Sequence, residues 1–250
     1  MGLFTDEQLA SLDALREYES GIAELLTGER IELAGKLRLA HEDVGAELTT
    51  FLAQEAEERG GTPWPLTQVV VTPSLRQWEV LHALELIYRD AYNSHLNDRY
   101  LGKWKEYGRL AKQARGRLYR EGVGVTRQPI PKAAPPRLSA APGAHPGGTF
   151  WVRVSWTGGN EEGAPSEPVA FSTPPNTVLA VAPGAAPAFV DGWNVYAGIL
   201  PEEVTLQNDA PLRPGAMWTL PASGLRAGRR PGTGQAATDF VRLRRLLLRG

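Results

Sequence analysis

The nine residues QPIPKAAPP, 128–136, separate two stretches of chain that carry different hydrophobic periods. Four prolines fix φ and remove backbone donors, so the segment predicts a semi-rigid extended linker and a domain boundary. Before it, apolar residues recur every three or four positions; after it, they alternate.

Working back from the linker, Trp78, Leu81, Leu84, Tyr88, Tyr92, Leu96 and Tyr100 are spaced as one face of a long aromatic helix. A basic continuation runs through Lys103, Lys105, Arg109, Lys112, Arg115 and Arg117, and Gly122 and Gly124 are placed to stop it. Upstream, Ile31, Leu33, Leu37, Leu39, Ala40, Val44, Leu48, Phe51 and Leu52 predict an amphipathic helix ending near Gly60-Gly61. Thr5 and Gln8 have the spacing of a capping box, which predicts that a first helix begins there.

Working forward, FWVRVSW (150–156), PVAFS (168–172), TVLAVA (177–182), WNVYAG (193–198), VTLQ (204–207) and MWTL (217–220) are short runs between Gly, Pro, Asn and Asp clusters. Such strands at this spacing predict a β-sandwich. The fold expected is therefore multi-domain α+β: a helical bundle over 1–126, a linker over 127–136 and a sandwich over 137–220. A Gly/Arg-rich mobile tether and extended basic tail over 221–250 complete it.

The 250 residues hold no cysteine, which excludes disulfides, thiolate metal sites and cysteine nucleophiles. No apolar run approaches the ~20 residues that span a bilayer, and the first residues lack the basic start and apolar stretch of a signal peptide. A protein made and used in the cytosol is expected, without membrane contact. The net charge of −1 conceals an asymmetry: residues 1–60 hold fourteen acids against five bases, and residues 212–250 hold eight arginines against Asp239 alone. Opposite charge at the two ends favours head-to-tail contacts between copies.

Candidate chemistry is sparse. Glu79 and His82 form a Glu-x-x-His pair with Glu85 a turn further on, but His41, His95 and His145 lack a glutamate three residues ahead, so the second half of a di-iron motif is missing. No serine lies in a G-x-S-x-G elbow, and GLRAGRRPGTG lacks the Lys-Ser/Thr ending of a phosphate loop. The pairs Glu161-Glu162 and Glu202-Glu203 fall in predicted loops and are expected to be solvated. No catalytic residue, cofactor site or metal site is therefore expected. The arginine-rich tail has a single aromatic, Phe240, and so lacks stacking platforms for single-stranded nucleic acid.

The tail TDFVRLRRLLLRG, 238–250, sorts on a helix into Arg242, Arg245 and Arg249 on one side and Phe240, Leu243, Leu246 and Leu247 on the other. At about 18 Å it is too short to cross a membrane and is expected to order on docking. The expected partner-docking residues are Phe240, Arg242, Leu243, Arg245, Leu247 and Arg249; the competing expectation is a C-terminal helix folded back on its own sandwich.

LRQWEVLHALELIYRDAYNSHLNDRYLGKWKEYGRLAKQA (75–114), with the acidic helix ahead of it, resembles the helical domain of head-tail adaptor (connector) proteins of tailed bacteriophages, over roughly residues 1–126. WVRVSWTGGNEEGAPSEPVAFS (151–172) and GWNVYAG (192–198) resemble strands of fibronectin type III and immunoglobulin-like modules, with the late-looking pair coming first in this chain. GTGQAATDFVRLRRLLLRG (232–250) is similar to a pattern in the same phage proteins. The resemblance implies a virion protein of the head-tail neck, assembled in the host cytoplasm. It implies a ring, typically of twelve subunits, between portal and tail that continues the DNA channel. Its partners would be itself, the portal protein, and tail or neck proteins, with DNA in transient passage. A lumen that lets DNA slide should avoid dense positive charge, so acids of the first sixty residues are expected nearest the channel. The alternative expectation is a carbohydrate- or host-binding module, for which an exposed Trp193 or Trp218 would speak.

Overall fold

The aromatic stretch after Pro73 folds as two helices where its period predicts one. α4 spans Pro73–His95 and α5 spans Asp98–Glu121 in the computed structural model, which describes residues 2–95 and 98–243. Tyr92 stacks on Trp104, Tyr88 stacks on Tyr107, Gln77 accepts a hydrogen bond from Arg117, and Ser74 donates to Glu121. These pairings run in opposite directions along the two helices, so α4 and α5 form an antiparallel hairpin. The hydrophobic period carries no mark of the break, because both helices bury their aromatic stripes against each other.

The chain divides into two units, and each draws on both ends of the sequence: residues 7–127 with 237–250, and residues 1–6 with 128–236. The first unit is helical. α1 (Leu12–Arg16) starts at Ser11, whose side chain accepts from the Ala14 amide, and α2 spans Ile22–Gly28. α3 spans Leu33–Arg59 and ends at Gly60, which adopts the left-handed φ of 65° that glycine takes without strain. Leu37, Ala40, Val44, Leu48, Phe51 and Leu52 line its buried face. A short strand, β1 (Val123–Val125), follows α5 and is flanked on one side by Val69 and Val70, with the Val70 amide donating to the Gly124 carbonyl at 2.9 Å.

The second unit is built of antiparallel strands. One sheet joins β3 (Gly148–Gly158) to β4 (Glu161–Glu162), β5 (Val169–Thr173) and β7 (Gly192–Gly198), with β8 (Thr205–Leu206) beyond β7. The other orders β2 (Arg137–Pro142), β6 (Thr177–Ala182) and β9 (Trp218–Thr219). Val152, Val154 and Trp156 of β3, Trp193 and Val195 of β7, Leu179 and Val181 of β6 and Trp218 of β9 meet in one hydrophobic core. The architecture is thus a helical region followed by antiparallel sheets.

Three expectations are corrected. Thr5 caps no helix: the Leu3 amide donates to one Asp6 carboxylate oxygen at 2.8 Å and the Lys132 amide to the other at 2.9 Å, so the segment is a turn held by residues distant in sequence. The proline segment, expected as a semi-rigid extended linker between domains, is built into the β unit: Ile130 and Ala133 are buried in its core, and Gln235 ties to both sides of it, accepting from the Ile130 amide and donating to the Gln128 carbonyl. The Gly/Arg-rich segment is not a loose tether. The Leu206 amide donates to Arg229 O, Gln207 exchanges hydrogen bonds with the Arg226 backbone, and Leu225 packs on the core.

Candidate functional site

The tail begins as a strand. β10 (Asp239–Val241) pairs antiparallel with β1, setting Val241 opposite Val123, Phe240 opposite Gly124 and Asp239 opposite Val125. The tail, expected to order as a helix only on docking, is already a strand over Asp239–Val241 without a partner. Phe240 and Val241 alternate outward and inward as a strand requires: Val241 is buried, while Phe240 is 49% exposed. The partner strand lies more than a hundred residues away, which is why local periodicity does not reveal it.

Beyond β10, the Arg242 guanidinium donates from Nε to the Glu121 carbonyl at 2.8 Å, and the Arg242 carbonyl accepts from Arg59 at 3.4 Å. Leu243, 52% exposed, donates its amide to the Tyr119 carbonyl at 3.4 Å. It stands at a groove of about 560 Å³ between α3 and α5, floored by Phe51 and Tyr119, whose rings stack at 4.4 Å, and edged by Thr50, Gln54 and Lys112. Burial pushes the Tyr119 hydroxyl up to about 12, so it stays a neutral donor at physiological pH. Of the expected docking residues, Phe240, Arg242 and Leu243 thus share one end of the helical unit; Arg245, Leu247 and Arg249 lie outside the described residues.

The Glu-x-x-His pair is split between two structures. Glu79, fully buried, accepts from the Leu9 amide at 2.8 Å and the Ala10 amide at 3.2 Å, and its other oxygen lies 3.0 Å from His41 Nδ1. It fastens the segment before α1 to α4. His82 instead faces Glu85 through Nδ1 and Asp43 through Nε2, both at 3.0 Å, in a cleft of about 200 Å³ that Lys112 and Arg115 also line. Burial works against a charged ring, but the hydrogen bonds to Glu85 and Asp43 outweigh it and raise the His82 pKa. The same bond to His82 lowers the pKa of Glu85 against the opposing effect of burial. With both nitrogens engaged by carboxylates, the imidazole has none directed at a substrate, and the cleft holds no hydroxyl or thiol nucleophile among its lining residues. Among the described residues, no group of three His, Cys, Asp or Glu is placed to hold a metal ion.

No family model, curated protein or solved structure matches the chain.

In the β unit, Glu162 is the hub of a polar cluster that the sequence places in a solvated loop. It accepts from Ser155, from Tyr196 at 2.5 Å, from Asn194 at 3.1 Å and from Arg229 at 2.5 Å. Burial alone would push the carboxyl up; the four donors outweigh it and hold the pKa below the ordinary range. The cluster anchors the Gly/Arg-rich segment, with three donors on one Glu162 oxygen and Arg229 on the other. Among the described residues, no helix is long and apolar enough to cross a membrane.

Proposed function

We propose that the protein is a structural virion protein, a head-tail adaptor that forms a ring between portal and tail and continues the DNA channel. The observation that carries the proposal is β10. By pairing with β1 it fixes the start of the tail on the helical unit and sets Leu243 beside the apolar groove of Phe51 and Tyr119. A docking tail needs such a fixed origin, because a short tether to a defined point raises the effective concentration at a neighbouring site. In this proposal Phe240 and Leu243 are apolar anchors, and the residues after Leu243, including Arg245, Leu247 and Arg249, meet the portal protein.

The β unit is assigned as a fibronectin type III/immunoglobulin-like sandwich that contacts a head, neck or tail protein; two antiparallel sheets sharing one core support this. A non-enzymatic role is supported by the engagement of His82 and Glu162 in internal hydrogen bonds. The carbohydrate-binding alternative loses its main support, since Trp193 is 0% and Trp218 8% exposed and neither can stack on a sugar.

The test is a pull-down on portal rings with the chain truncated after Leu243, so that β10 stays paired. Loss of portal binding with an unchanged melting temperature is expected. Binding equal to the full chain would reject the portal-docking role of the tail.

A further inference from the structure

The outer face of α5 is a basic stripe. At 100° per residue, Lys105, Arg109, Lys112 and Arg120 fall within about 80° of arc and extend for about 22 Å. All four are exposed, and among the described residues none forms an ion pair. The Arg120 guanidinium lies over Gly116, one turn back, which keeps the stripe continuous to the end of the helix. Acids are displaced from this face: Glu106 sits at its margin, and Glu47 is taken up by Arg115 at 2.7 Å.

Exposed carboxylates also stand on α1, α2 and the start of α3, where exposed Arg16 is paired with Asp13 and exposed Arg30 lies between α2 and α3. Glu17 at the end of α1, Glu24 in the first turn of α2 and Glu32 at the N-cap of α3 are exposed and form no ion pair among the described residues. Tyr18, 43% exposed beside Glu17, adds an apolar surface. Residues 7–127 with 237–250 hold twenty acids and twenty bases, so the stripe belongs to a unit with no net charge. A dedicated nucleic-acid binder would carry a basic balance; paired, separated patches of both signs fit a copy of the same chain.

We infer that the Lys105–Arg120 stripe of α5 docks on the Glu17/Glu24/Glu32 surface of a second copy. The two surfaces differ, so the contact is heterologous and repeats from copy to copy, closing into a ring where the rotation allows. Individual exposed ion pairs contribute little, so the contact should be weak per pair, steered by charge and sensitive to salt. This deepens the ring-forming part of the adaptor proposal and rests on it.

The experiment uses two full-length charge reversals, Lys105→Glu/Arg109→Glu and Glu17→Lys/Glu24→Lys, each first shown to be folded by its circular dichroism and melting temperature. Light scattering on a sizing column at low ionic strength should give multimers for the wild-type chain and monomers for each variant alone. An equimolar mixture of the variants should recover at least half of the wild-type multimer, because each reversed surface then finds its complement. About 1 M salt, where the Debye length is about 3 Å, should dissolve both assemblies. Multimers from either variant alone, a mixture that stays monomeric, or a monomeric wild-type chain would each overturn the inference. So would loss of duplex-DNA binding in Lys105→Glu/Arg109→Glu with assembly unchanged, which would make the stripe a polyanion surface. Failure of the adaptor proposal has a separate signature: portal rings do not retain the wild-type chain even while charge reversal abolishes its assembly.

Discussion

The Glu79 carboxylate accepts the Leu9 amide at 2.8 Å from a fully buried position on α4, and the same oxygen takes the Ala10 amide. Removing it strands two buried donors, each worth about 1–3 kcal/mol when left unsatisfied. Glu79→Ala is therefore expected to lower unfolding stability by about 3 kcal/mol in a denaturant titration. Glu79→Gln, which keeps one carbonyl acceptor and nearly the same volume, should lose less than half of that.

The His82 bridge between α3 and α4 sets a pH dependence of stability. The pKa of His82 is raised in the fold, so its contribution is complete below the ordinary histidine value of about 6.5 and is lost as pH rises through the raised value. The pKa of Glu85 is lowered, so its contribution is complete above about 4.3 and is lost as pH falls through the lowered value. The melting temperature should therefore carry a component that peaks between these limits. In His82→Gln that component should disappear from a pH series of melts; an unchanged profile would place the pH dependence elsewhere.

Arg229 and Glu162 pin the Gly/Arg-rich segment to the β unit. Glu162→Ala takes the acceptor from four donors at once, and brief trypsin digestion should then cut after Arg226 or Arg229 at least several-fold faster than in the wild-type chain. Mass spectrometry of the fragments reads the result. Equal cleavage rates would mean that the backbone hydrogen bonds to Leu206 and Gln207 suffice.

Gly122 sits at φ 108°, and a Cβ there would lie 2.8 Å from Arg242 Cγ and 3.0 Å from Phe240 Cβ. Gly122→Ala should cost about 2 kcal/mol through backbone strain and the collision. It should also speed hydrogen exchange at Val123, Val125 and Val241, as β10 lifts from β1.

Those two strands also mark where sequence reading ends. α3 and its Gly60 cap were legible because period and terminator agree within one helix, and six strands of the β unit were legible from alternation between turn residues. The break between α4 and α5 was not, since neither Gly nor Pro lies between Pro73 and Gly102 to mark it. β1 and β10 were not, because three residues show no period and each strand is stabilised by a partner distant in the chain. Phe240, Arg242 and Leu243 were found as a group by composition, yet as helix faces; a strand with Val241 inward puts Phe240 on the opposite side. Glu162 was missed altogether, because a carboxylate flanked by Glu161 and Gly163 looks solvated until Tyr196, Asn194 and Arg229 are brought to it.

The interleaving of the two units constrains the order in which they can be made. The helical unit lacks its last strand until residue 241 has left the ribosome, and the six N-terminal residues that belong to the β unit must wait for a partner segment that starts at residue 128. Neither unit can be completed in sequence as the chain emerges. Each unit is closed by a segment from the far end of the sequence, and a fragment cut at residue 127 would leave an unpaired β1 edge on one piece and a missing N-terminal turn on the other.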